Sequence, residues 1–254
     1  LTTLKAYFEG KRNLFEGLAI MELEHDWKQH PVLHLDLNTG YYTSEDGLMA
    51  MFRRHILNWE KQFGITPEQE DLPERFANII TSLQDVVILV DEYDKPLLQT
   101  MNDLELQDRF RTILKAMYSV LKTCDAHIRF ALLTGVSRFS HVSIFSDLNN
   151  LTDITLNNAY ASICGITEEE LRTAFAEHIA NMAFQKGTTE ETILAKLKAM
   201  YDGYHFTASM VDVYNPFSLL NAFYSGNISS YWYQTGTPTF LVSQLENNHV
   251  ELPD

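Results

Sequence analysis

The sequence predicts an α/β fold, a mostly parallel sheet covered by helices and followed by a helical C-terminal part. Three observations carry this. Residues 86–94 read VVILVDEYD, five apolar residues, mostly β-branched, running straight into acid. An unbroken apolar run suits a strand buried on both faces, as in a parallel sheet between helices. VLHLDLN at 32–38 reads as a second buried strand and HIRFALLTG at 127–135 as another strand, with helix-length amphipathic stretches between them. After about residue 165, apolar stripes at helical spacing take over.

Each element has its own signal. Leu1, Leu4, Tyr7 and Phe8 share one helical face, and Gly10 suits a C-terminal cap. Residues 45–63 are helical in pattern, and a polar stretch from Pro67 to Pro73 separates them from a helix near 74–83. After the VVILVDEY strand, Asp94 can cap a helix with Pro96 in its first turn. Residues 103–123 form a long amphipathic helix, and Gly135 closes the strand that follows. ITL at 154–156 reads as one more short strand. Thr167 with Glu170 is a capping box before an apolar stripe. Residues 189–202, 215–225 and 237–247 are helical, the last two opened by Asn-Pro and Thr-Pro, and Gly203 suits a helix end. The expected division is a core over 1–164 and a helical subdomain, with room for a small winged element, over 165–254.

Composition narrows the function. The 254 residues are 45% hydrophobic, enough for a real core. A net charge of −15 repels a phosphate backbone, so direct nucleic-acid binding is not expected. Cys124 and Cys164 lie far apart in no motif, as for reduced thiols in a cytoplasmic protein. No apolar stretch reaches the roughly 18 residues that span a membrane. The nine histidines form no H-E-x-x-H or C-x-x-C grouping, which argues against zinc. The opening LTTLKAYFEG lacks Met and falls inside a helix, so upstream residues are expected.

A hydrophobic strand ending in Asp-Glu is the pattern of a Walker B element. Ligands of open parallel sheets bind beyond the carboxyl ends of the strands, where this acid falls. The Asp would hold Mg²⁺, which keeps several waters and takes few protein carboxylates. The Glu would orient or deprotonate the water attacking a γ-phosphate. The plainer alternative is an acidic turn capping the next helix. The phosphate cradle G-x-x-x-x-G-K-[ST] is absent, and the Gly10-Lys11 pair follows a helix rather than opening one.

VDEYDKPLL, LLTGVSRFSHVSIFSDLNNL, CGITEEEL, YDGYHF, VYNPFSLLNAF and YWYQTGTPTFLV, in that order, together resemble the AAA-ATPase-like family of bacterial proteins. The resemblance runs over nearly the whole chain. It implies an ASCE-type, AAA-like P-loop NTPase core with a C-terminal helical lid, using ATP and Mg²⁺. The family's phosphate loop, of the form RPRRFGKS, lies just before the helix ending in TLKAYFEG. A PD-(D/E)XK-type nuclease domain often follows. The chain is therefore expected to lack both ends and to bind ATP poorly alone.

By the same resemblance Asp91 is the Mg²⁺ aspartate and Glu92 the catalytic glutamate. Thr134 takes a sensor-1 role, against the alternative of a hydroxyl bonded to backbone. Arg138 is a sensor or arginine finger, against a surface salt bridge. Asp94 reads as a helix cap before a second metal ligand. Tyr201, Tyr204, Phe206, Tyr214 and Phe217 either cover an adenine or, more in keeping with such aromatics, pack a core. His205 reads as a packed, hydrogen-bonded side chain. The expected activity is Mg²⁺-dependent ATP hydrolysis that gates a downstream effector. The alternatives are a non-hydrolysing nucleotide switch or scaffold and, further off, an ATP-independent metal hydrolase built on Asp91, Glu92 and Asp94. The oligomeric state is not fixed by the sequence.

Overall fold

The computed structural model describes residues 1–136, 144–145, 148–207, 209 and 211–232. The chain divides into two compact units between Leu151 and Thr152. The first is an α/β unit around three parallel strands, β1 (Val32–Asp36), β2 (Val86–Asp91) and β3 (Ile128–Leu133), in the order β1-β2-β3. Val32 pairs with Val87 and Asp36 with Asp91; on the other side Val90 pairs with Leu133 after a register shift near Val86. The apolar run therefore becomes the central strand, and Val86 through Val90 are fully buried.

The two faces differ. Val86, Ile88 and Val90 meet Leu33 and Leu35 under α3 (Glu45–Phe63), α4 (Leu72–Leu83) and α6 (Leu104–Thr123). Val87, Leu89 and Val32 face the other way, against Leu1, Leu4 and Phe8 of α1 (Thr2–Phe8). Side chains alternate along a strand. His34, Asp36 and Asp91 thus project on the α1 side. The Phe8 carbonyl accepts from the His30 N–H at 2.8 Å, so the C-terminus of α1 lies at the amino ends of the strands.

The helices begin and end where local chemistry dictates. Ser44 accepts from the Gly47 N–H, and Gly64, at φ 68°, closes α3 in the left-handed conformation that lacks a Cβ penalty. Leu48, Phe52, Ile56 and Trp59 form its buried stripe. Glu60, also buried, takes two bonds from Arg75 of α4, 2.9 Å to Oε1 and 2.5 Å to Oε2. That bidentate pair joins α3 to α4 without leaving a buried charge unpartnered. A short helix, α2 (Ile20–Leu23), precedes β1.

The second unit is helical. α7 (Glu168–Ala174), α8 (Ala176–Lys186), α9 (Glu190–Tyr201) and α10 (Pro216–Ser225) bury Leu171, Ile179, Ile193, Leu197, Tyr214 and Leu219 together. The Thr167–Glu170 capping box forms at the start of α7. The stripe after it breaks at Phe175, with φ −112° and ψ 14°, into two helices. Two antiparallel bridges, Ile166–Tyr214 and Tyr204–Val213, are its sheet-like contacts among the described residues. The expected strand at 154–156 does not form. The Asp153 carboxylate accepts the Thr155 N–H at 2.9 Å and Ile154 accepts the Asn157 N–H, so the segment turns and leaves Leu156 exposed. The helix expected at 237–247 lies outside the described residues. No helix of the described residues is long and apolar enough to cross a membrane.

Candidate functional site

The carboxyl end of β2 gathers the acidic residues. The chain is held on both sides there. The Leu37 N–H donates to the Asp91 carbonyl at 3.1 Å, and the Tyr93 N–H donates to the Thr134 carbonyl at 2.8 Å. Between these two bonds Glu92 adopts φ 51°. That left-handed conformation costs a non-glycine residue about 1–2 kcal/mol. Such strain persists where surrounding structure fixes it, and it clusters at functional sites. It takes Glu92 out of the strand's alternation, so the two adjacent acids need not point to opposite faces.

Thr134 meets Asp91. Its hydroxyl is 2.8 Å from Asp91 Oδ1 and 3.3 Å from the Val90 carbonyl, and its N–H donates to that carbonyl at 2.9 Å. The side chain thus reaches both a backbone carbonyl, as the plainer reading has it, and the Asp91 carboxylate. Glu92 Oε2 is buried and accepts no hydrogen bond, although Lys95 Nζ stands 3.3 Å away as an ion pair. An oxygen in that state retains a free lone pair for a water or donor.

Asp94 departs from its expected role. Its backbone occupies the N-cap position of α5 (Lys95–Gln99), with Pro96 in the first turn, but its side chain caps nothing there. Both carboxylate oxygens instead accept from the Val136 N–H, at 3.0 and 3.1 Å, and the residue is fully buried. The β3 exit has pulled the carboxylate away from the helix.

Two neighbours were not singled out from sequence. Asp36 lies in register with Asp91 on the adjacent strand and accepts the Asn38 N–H at 2.8 Å. His34, two residues earlier on the same face, has a buried Nε2 without a hydrogen-bond partner. Burial and then Lys5 push its pKa down, while Asp36 and Asp91 oppose this. VLHLD ends in acid as VVILVD does, and that shared ending was the available signal.

The remaining expectations divide. Arg138 lies outside the described residues. Tyr201 and Tyr214 are buried in the second unit's core, whereas Tyr204, Phe206 and Phe217 are exposed. His205 Nδ1 lies 3.3 Å from Asp212. Among the described residues no group of three or more His, Cys, Asp or Glu side chains is placed to hold a metal unaided. Asp91 and Asp36 nevertheless fit a hard cation of the Mg²⁺ type, which takes one or two carboxylates and fills its other positions with water and phosphate.

The model of a family described as predicted AAA-ATPase matches residues 1–145. A relative from Azotobacter chroococcum mcd 1, described as an uncharacterized protein in the vnfD 5' region, is 37% identical over 259 residues. The match takes in all of this chain and 48% of the relative, so the chain spans about half of that protein's length. No solved structure matches.

Proposed function

This chain belongs to the predicted AAA-ATPase family, and from that premise we propose that the full-length protein binds ATP with Mg²⁺ and hydrolyses it at the carboxyl end of β2. The observation that supports this most is the bond from the Thr134 hydroxyl to Asp91 Oδ1 beside a left-handed Glu92. A strand-end acid oriented by a neighbouring strand's hydroxyl is what a metal-holding carboxylate requires.

Mg²⁺ and the bound triphosphate would supply charge neutralisation and the electrophilic phosphorus. The protein's groups divide the remaining work. Asp91 would hold the cation through Oδ2 or through water, with Oδ1 fixed by Thr134. Asp36 would add negative charge on the same side. Glu92 Oε2, free of hydrogen bonds, would accept a proton from the attacking water or hold that water in line. Lys95 Nζ stands 3.3 Å from the same oxygen as its ion-pair partner. Arg138 remains a proposed sensor. The second unit is read as the lid of this core, whose reorientation would gate a downstream effector.

The test is steady-state ATP hydrolysis by the full-length protein, with and without Mg²⁺, beside Glu92→Gln. The expected result is Mg²⁺-dependent turnover that falls about 10²–10⁴-fold in the variant, with nucleotide still bound. Turnover equal in both proteins would remove Glu92 from its role. Bound nucleotide without turnover in either would assign the protein as a switch or scaffold.

A further inference from the structure

We propose that Asp94 is a positioning residue for this reaction, setting Thr134 against Asp91 by clamping the amide that follows Gly135; the proposal rests on the ATPase reading above. Two adjacent exits meet here. Tyr93 and Asp94 leave β2, and Thr134, Gly135 and Val136 leave β3. Three donors lace them together. The Tyr93 N–H donates to the Thr134 carbonyl, the Val136 N–H donates to both oxygens of Asp94, and the Thr134 hydroxyl donates to Asp91. Thr134 is therefore held on both sides, by its own carbonyl and by the clamp two residues on.

Gly135 shows how tight the clamp is. A Cβ there would stand 2.5 Å from Tyr93 Cε1 and 2.8 Å from Asp94 Oδ1. The space a side chain would need is filled by the residues that form the lacing. A helix cap alone would not require Asp94 to be fully buried, nor its carboxylate turned from α5 to another strand's exit. Burying a carboxylate is costly unless it is hydrogen-bonded. Here the bond made fixes the segment carrying Thr134. Asp94 accepts from the Val136 N–H, two residues after Thr134, so its proposed effect on the chemistry passes through Thr134.

The experiment compares full-length wild type, Asp94→Ala and Asp94→Asn by ATP hydrolysis and by amide hydrogen exchange at Val136. Asn keeps the shape and one accepting oxygen, so Asp94→Asn folds and retains most of the clamp. In Asp94→Ala, kcat should fall about 10- to 100-fold through misplacement of the site. KM should stay within about threefold, the uniform-binding part being unaffected. Exchange at Val136 should quicken about 10- to 100-fold on loss of a bond to a charged acceptor, and Asp94→Asn should recover most of both effects. A folded Asp94→Ala protein with wild-type kcat, with Val136 still protected, or with only KM raised, overturns the proposal. Wild type that never hydrolyses ATP defeats the ATPase reading and the catalytic consequence with it. The exchange measurement then still supports or overturns the Asp94–Val136 clamp by itself.

Discussion

Replacing Glu92 by glycine should abolish turnover yet leave the fold as stable as before or slightly more so. Glu92 holds φ 51°, where a side chain costs about 1–2 kcal/mol. Glycine removes that strain but brings extra freedom in the unfolded chain, worth about 0.5–1 kcal/mol against folding. The lost Lys95 pair is about one-third exposed on both sides and contributes no more than about 0.5 kcal/mol. Glu92→Gln loses the same pair and keeps the strain. The glycine variant should therefore exceed the glutamine variant by about 0.5–1 kcal/mol. Glu92→Val, β-branched and poorly suited to positive φ, should rank last. The assay is urea unfolding followed by tryptophan fluorescence, with Trp59 buried in the same unit as Glu92. A glycine variant clearly less stable than the glutamine variant would refute the claim that backbone strain is stored at this residue. Both variants should lose most of their turnover, which separates what position 92 does for folding from what its carboxylate does for chemistry.

Three other outcomes are expected. Arg75→Ala strands the buried Glu60 carboxylate and should destabilise the first unit by about 3–5 kcal/mol, read as a lowered urea midpoint; a loss under 1 kcal/mol would mean water reaches that pair. Gly135→Ala must displace Tyr93 or Asp94 and should cost about 1–3 kcal/mol together with most of the ATPase rate; an active, wild-type-stable alanine protein would show that the gap opens freely. In the second unit, the Tyr214 hydroxyl, with Arg172 and Lys198, holds the Glu168 carboxyl below its usual 4.5. A lowered carboxyl pKa stabilises the fold fully above the unfolded value, and the contribution disappears as pH falls through the folded value. Unfolding midpoints measured from pH 7 down through 4.5 should therefore drop less steeply in Glu168→Gln than in wild type, and parallel curves would contradict that account.

The sheet was legible because its central strand is a continuous apolar run ending in acid and its neighbours are short apolar-rich segments, and helices of the second unit because Thr167 and Asn215 mark their starts. ITL at 154–156 misled because composition favours a strand while Asp153, one residue before it, bends the backbone by a bond that periodicity does not register. At the site, adjacency in sequence marked Asp91 and Glu92, and the strand end marked Thr134. Asp36 was missed because it becomes a neighbour of Asp91 only through register between strands remote in sequence. The orientation of Asp94 was missed for a related reason. An Asp before Lys-Pro is a sound helix cap locally, and the competing Val136 amide arrives from another strand altogether.

The parallel pairing of the sheet also sets an order in time. Val32 bonds alongside a residue more than fifty positions later, and β2 must then wait for another crossover before β3 reaches it. No two neighbouring strands are joined by a hairpin, so each pairing closes a long loop, the slow step in sheets of this kind. On the ribosome, β1 emerges with its partner still unmade, and α3 and α4 are complete before β2 exists. Asp91 is synthesised more than forty residues ahead of the Thr134 hydroxyl that orients it. The strand-end carboxylates therefore spend part of the chain's synthesis without their ordering partner, and the geometry that would carry the chemistry is among the last features of the first unit to be assembled.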